Sequence, residues 1–256
     1  MVFGMRLPPL PEPISSPSPD RLARRAVGDR SIDVPNSPIT MEPYDPSWPD
    51  RYRVERSRIR DALGAGALAV EHVGSTAVPG LSAKNRIDID LIVADPADEN
   101  AYVPALETVG YVLRVREPEW YEHRSLWTEG HTVNLHVFAP DCDEHLRHLA
   151  FRDWLRARPD EREYYEAAKR RAAADNAWSA SGYNSQKASA IIEILRRAGL
   201  RLADRRVTWL GVGFPWRPWC RGRSGFGGGS RRWVGVGREV VWGLGSRGVW
   251  PLGGGV

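Results

Sequence analysis

The sequence predicts a mixed α/β domain of the α+β kind, a sheet with flanking helices closed by a group of C-terminal helices. Three observations predict it. Residues 86–93 alternate, with Ile87, Ile89, Leu91 and Val93 on one side and Asp88 and Asp90 on the other, the period of a strand half turned to a core. Pro96 stands where a first helical residue would and Gly110 where a helix would stop, which sets a helix between strand-like runs. From residue 141 to 202 the pattern is helical, and Ile191, Ile192, Ile194 and Leu195 form the buried side of the last helix.

In chain order, residues 39–43 read as a short extended segment. Ser47 then caps a helix to about Leu63, whose Trp48, Tyr52, Ile59 and Leu63 make one stripe. Gly64 and Gly66 end it. Residues 68–73 read as a strand, 74–84 as a loop fixed by Pro79 and Gly80, and 86–93 as the next strand. A helix follows from Pro96 to about Val109. Residues 111–115 and 131–138 are strands, and the polar, aromatic stretch 117–130 between them reads as a hairpin or an excursion over the site. The closing helices are 141–157, 160 to about 177, and 183 to about 202.

Composition divides the chain into three parts. Residues 1–38 mix Pro, Ser and Arg without an apolar period and are expected to be a disordered leader; they lack the pattern of a secretory signal. Met41 opens the first patterned segment, so a start further downstream is an open alternative. Residues 39–202 are the patterned domain. Residues 203–256 are Gly, Trp and Arg in short alternation and are read as a low-complexity tail, either non-native or suited to stacking on single-stranded nucleic acid. The tail holds nine Arg against Asp204 and Glu239, a net of +7, and the leader nets +1, so the total of +4 leaves the domain at −4. The basic pI of about 9.3 therefore belongs to the tail and is no argument that the domain binds nucleic acid. Two cysteines, Cys142 and Cys220, make neither a disulfide framework nor a thiolate metal site, and a reducing cytoplasm is the expected home. No apolar run approaches the roughly twenty residues of a membrane span.

The candidate site begins at Gly74, Ser75 and Thr76. A turn of this kind lets backbone approach closely, and its N–H groups with the Ser75 hydroxyl can hold a phosphate. Lys84 follows, and then Asp88 and Asp90 at i, i+2 on one strand face. Two carboxylates there invite Mg²⁺ or Mn²⁺, which would bridge triphosphate oxygens while a hydroxyl attacks in line. The plainer alternative puts both acids on a solvent face with Arg86 as an ion-pair partner. His136 lies on the candidate neighbouring strand with Thr132 and Asn134, as a metal ligand, an acid–base group or a structural imidazole. His72 reads as a structural ring that fixes the turn. Tyr183 and Lys187, at i, i+4, share a helix face. They are placed either against base and phosphate or as a snorkelling lysine beside a half-buried tyrosine. Arg152 and Asp153 read as a solvated pair, and Glu122, His123 and Glu129 have no position that the sequence fixes.

Tyr44-Asp-Pro-x-Trp48, His72-Val-Gly-Ser-Thr-Ala-Val-Pro-Gly80, Ala83-Lys84 with Ile87-Asp88, Gly110-Tyr111, Asn134-Leu-His136-Val, Phe151-Arg-Asp-Trp-Leu155, and Tyr183 with Lys187 together resemble the GrpB family, a branch of the nucleotidyltransferase-fold superfamily. The resemblance covers about residues 39–202. It implies a nucleotidyltransferase-like mixed sheet with the Gly-Ser turn and Asp88 at its active edge. It gives no reaction, although related domains are joined to dephospho-coenzyme A kinase. Active members of the superfamily place a third acid on a neighbouring strand, where this sequence has Asn134 and His136.

Two readings of function follow. In the first, the domain transfers a nucleotidyl group from a nucleoside triphosphate to an unidentified acceptor. Asp88 and Asp90 carry metal, Gly74, Ser75 and Thr76 seat phosphates, Lys84 or Lys187 balances charge, and His136 assists. In the second, it is a nucleotide- or cofactor-binding module related to coenzyme A metabolism that has lost catalysis. Nucleic acid enters only through the tail, and no membrane partner is expected.

Overall fold

The computed structural model describes residues 8–11, 18–28, 32, 33, 35 and 38–201. The expectations for the tail, and for the rest of the leader, lie outside them. The chain divides into two units, Met1–Gly213 and Phe214–Val256, and everything that follows concerns the first.

Five strands, β1 (Ala69–Val73), β2 (Ile87–Ile92), β3 (Tyr111–Glu117), β4 (His123–Thr128) and β5 (Val133–Phe138), form one mixed sheet in the order β1-β2-β5-β4-β3. β2 and β5 run parallel and the other pairs antiparallel. The stretch left open as a hairpin or excursion is therefore the β3–β4 hairpin, turned at Trp120–His123 with Tyr121 and Glu122 at positive φ. Alternation does the rest. Ile87, Ile89, Leu91, Val133, Leu135 and Val137 are buried on one face against Trp48, Ile59, Tyr102 and Leu106. Asp88, Asp90, Asn134 and His136 occupy the other.

Two helices, α2 (Trp48–Leu63) and α3 (Val103–Thr108), cover the apolar face. Two details differ from expectation. Ser47 stands at the N-cap of α2 but its side chain makes no capping bond. It has helical backbone angles there, φ −78° and ψ −16°, whereas a capping hydroxyl needs an extended residue. The helix expected from Pro96 starts only at Val103, with Pro104 in its first turn. The Asp95 carboxylate accepts from the Ala97 N–H at 2.9 Å and holds residues 95–98 as a turn instead.

The polar face is roofed by α4 (Asp143–Ala157), α5 (Pro159–Asp175) and α6 (Ala180–Arg197). The 74–84 loop joins sheet to roof, since Val78 and Leu81 are buried among Leu155, Tyr165, Ala190 and Ile194. The leader also contributes. Residues Pro19–Arg25 form a short helix, α1, whose Ser18 caps Arg21, and Ala26 pairs with Val115 on β3. Leu10 packs on Leu195 and Leu200, and the Pro9 carbonyl accepts from Arg147 at 2.8 Å. These described residues of the leader make tertiary contacts that a window of local sequence does not contain.

Candidate functional site

β1 ends beside Asp88, which pairs in register with Val73, and the chain must turn at once. Gly74 does so at φ +69° and ψ −168°, a region almost reserved for glycine. A Cβ there would lie 2.6 Å from Asp88 Oδ2, so the turn and the carboxylate are in direct contact. A single short turn, Ser75–Ala77, follows. His72 holds it: Nε2 lies 3.0 Å from Thr76 Oγ1 and the ring stacks on Tyr52 at 4.6 Å. Burial pushes the His72 pKa down to about 4, so the ring is neutral and structural at physiological pH.

Three lysines converge on this turn from three segments. Lys169 of α5 is buried and donates to Ser75 Oγ at 3.1 Å and to the Ser82 carbonyl. Lys84 and Lys187 set their Nζ atoms 4.7 and 4.8 Å from the ring centre of Tyr183. Burial, with the charge of Lys187 next, lowers the pKa of Lys84 and of Lys169 to about 7. Lys187 is lowered as well, mainly by burial.

On the other side of Asp88 runs a chain of hydrogen bonds. Asn134 Nδ2 donates to Asp88 Oδ1 at 3.3 Å and lies 2.9 Å from His136 Nε2; His136 Nδ1 lies 2.9 Å from His123 Nε2; His123 Nδ1 lies 2.8 Å from Glu117 Oε2. Glu117 is in turn paired with Arg25 of α1. Burial lowers the pKa of His123 to about 3 and of His136 to about 4, so both rings are neutral.

Asp90 shares the strand face of Asp88 but not its surroundings. It is fully buried under α4, where His145 Nδ1 lies 2.8 Å and His148 Nδ1 2.9 Å from its Oδ2. Burial alone would raise its pKa. The charge of His148 and the bonds from both imidazoles hold it well below the carboxylate range. Burial opposes protonation of His148 in turn, but Asp90 and then Glu144 raise its pKa well above the usual value. Of the two carboxylates that the sequence offered to Mg²⁺ or Mn²⁺, Asp90 thus meets two imidazoles and Asp88 accepts from Asn134. Among the described residues no three His, Cys, Asp or Glu side chains are grouped to hold a metal ion.

A cavity of about 490 Å³ lies between sheet and roof. Gly74, Ser75, Thr76, Lys84, Asp88, His136, Tyr183 and Lys187 all line it, and Asp90 does not. The sequence missed Lys169, Glu117, His145 and His148, and gave His123 no position. Lys169 carried a signal, because it falls on the same α5 stripe as Tyr165, Ala172 and Ala173, and a lysine inside a buried stripe asks for a partner. His145 and His148, at i, i+3, were a second signal. Arg152, read as solvated, donates to Glu71 and to the His72 carbonyl and ties α4 to β1.

Known proteins are similar to this chain. Residues 38–197 match the family model described as GrpB protein. A UPF0157 protein of Halalkalibacterium halodurans is 50% identical over 163 residues, 64% of this chain and 84% of that protein. A dephospho-CoA kinase of Mycolicibacterium paratuberculosis is 33% identical over 165 residues, 54% of this chain and 40% of that protein. The crystal structure of conserved protein GrpB from Enterococcus faecalis superposes with a TM-score of 0.56 at 29% identity, covering 62% of this chain and 96% of that one. The matched region contains all five strands and the three roof helices, so this chain belongs to the GrpB family.

Proposed function

We propose that the cavity binds a nucleoside triphosphate or a related phosphorylated cofactor, with its phosphates on Ser75 and the lysines, in the manner of a nucleotidyltransferase-type site. The observation that carries this reading is Lys169. A buried amine on Ser75 Oγ, one residue after a glycine that Asp88 crowds, is costly to charge unless an anion comes to it. The cavity has the volume of a small-molecule site. The match to one region of dephospho-CoA kinases supports including coenzyme A precursors among the candidates.

A second reading, nucleotidyl transfer to an unidentified acceptor, is favoured by Asp88, whose carboxylate faces the cavity between the Gly74 turn and Asn134. Thermal unfolding of the full chain with each nucleoside triphosphate, dephospho-coenzyme A and coenzyme A tests the first reading. At a hundredfold excess over Kd a ligand adds about 2.7 kcal/mol, so a rise of about 5 °C or more is expected with at least one. No rise with any of them overturns it. Pyrophosphate release in the presence of the stabilising nucleotide separates transfer from binding alone.

A further inference from the structure

We propose that Lys84, Lys169 and Lys187 hold the ligand's phosphates directly, so that a polyphosphate enters this cavity without a divalent cation; this rests on the phosphate-ligand reading above. The 74–84 loop, α5 and α6 each deliver one ammonium group to the same end of the cavity. Among the described residues none of the three is ion-paired: Lys169 meets a hydroxyl and a carbonyl, and Lys84 and Lys187 each lie against the ring of Tyr183. Arg86, whose Nε donates to the His131 carbonyl at 2.9 Å, lines the same end and adds a fourth cation. Asp88 is the lining carboxylate whose charge acts on all three lysines.

Clustered cations without counter-ions repel one another and lose hydration, which a fold tolerates where a ligand offsets it. A polyphosphate supplies several charges and many acceptor oxygens, and lysine is a flexible point charge suited to them. A metal commonly supplies this positive charge in phosphate chemistry, seated on carboxylates. Here the second carboxylate is bound to His145 and His148, while three lysines line the cavity with Ser75.

Isothermal titration of the full chain with sodium tripolyphosphate, in EDTA and then in excess Mg²⁺, tests the proposal. Binding is expected in EDTA, weaker in excess Mg²⁺ because the cation competes for the same oxygens. Lys84→Met and Lys187→Met should each weaken it at least tenfold, with Lys187→Gln as a second variant and circular dichroism to verify the fold. Asp88→Asn should bind more tightly, because a like charge is removed. Binding that requires Mg²⁺, or is lost in Asp88→Asn, or is undiminished in the lysine variants, overturns the proposal and leaves the phosphate-ligand reading standing. Absence of binding in every condition, by ATP and coenzyme A as well, removes both.

Discussion

His123 Nε2 and His136 Nδ1 lie 2.9 Å apart, and this contact fixes the hydrogens of both rings. Glu117 can only accept, so His123 donates from Nδ1 and accepts at Nε2; His136 therefore donates from Nδ1 and accepts from the Asn134 amide at Nε2. The second amide hydrogen of Asn134 points to Asp88, and its oxygen accepts from Ser125 at 2.7 Å. Each donor meets an acceptor. Asn134 is thus held as a donor toward Asp88.

Nitrogen-15 spectra of histidine side chains should show His123 and His136 as neutral Nδ1–H tautomers at pH 7. Glu117→Gln should disturb both. An Nε2–H tautomer at His136 would refute the directed chain.

The same two rings should limit acid stability. Their folded pKa values, about 3 and about 4, lie below the unfolded value near 6.5. The unfolded chain therefore binds more protons in this window, and stability falls as pH drops from 6.5 toward 4. Urea unfolding at pH 7, 6, 5 and 4 should show this slope, reduced in His123→Gln.

Lys84 and Lys169 shift in the opposite range. With folded values of about 7 against about 10.5 unfolded, the free protein should gain stability from these groups as pH rises from 7 to 10.5. Their ligand requires them charged. Tripolyphosphate affinity should fall by about tenfold or more between pH 7 and 9, with proton uptake seen as a buffer-dependent enthalpy.

Asp88→Asn and Asp90→Asn should separate sharply. Asp90 is one half of a buried charged pair, and its loss leaves the His148 imidazolium without its main partner, costing about 3–5 kcal/mol in denaturant unfolding. Asp88 faces the cavity, so its variant should stay near wild-type stability and change ligand binding instead.

Gly74→Ala should lose about 2–4 kcal/mol, from the left-handed φ and from a Cβ pressed against Asp88. Wild-type stability in this variant would show that the turn relaxes without effect.

What the sequence made legible was local. The period of residues 86–93 and the Gly-Ser turn identified β2, its two faces and the pocket-lining Asp88. The same period treated Asp90 as equivalent to Asp88, because alternation reports a face and not what packs on it. His145 and His148, which decide the matter, come from a helix over fifty residues further on. Lys169 was hidden for the same reason, its partners Ser75 and Ser82 being 94 and 87 positions away. The seven residues of α1 were too short for a period and are held by β3 and Glu117.

The parallel pairing of β2 with β5 has a kinetic consequence. Asp88 meets Asn134 only after α3, β3 and β4 have crossed over, and the lysines arrive later still, on α5 and α6. Pairings so distant along the chain form late in folding. During synthesis the cavity is therefore not complete until α6 has left the ribosome, so ligand binding in the proposed manner would report that the whole domain has folded.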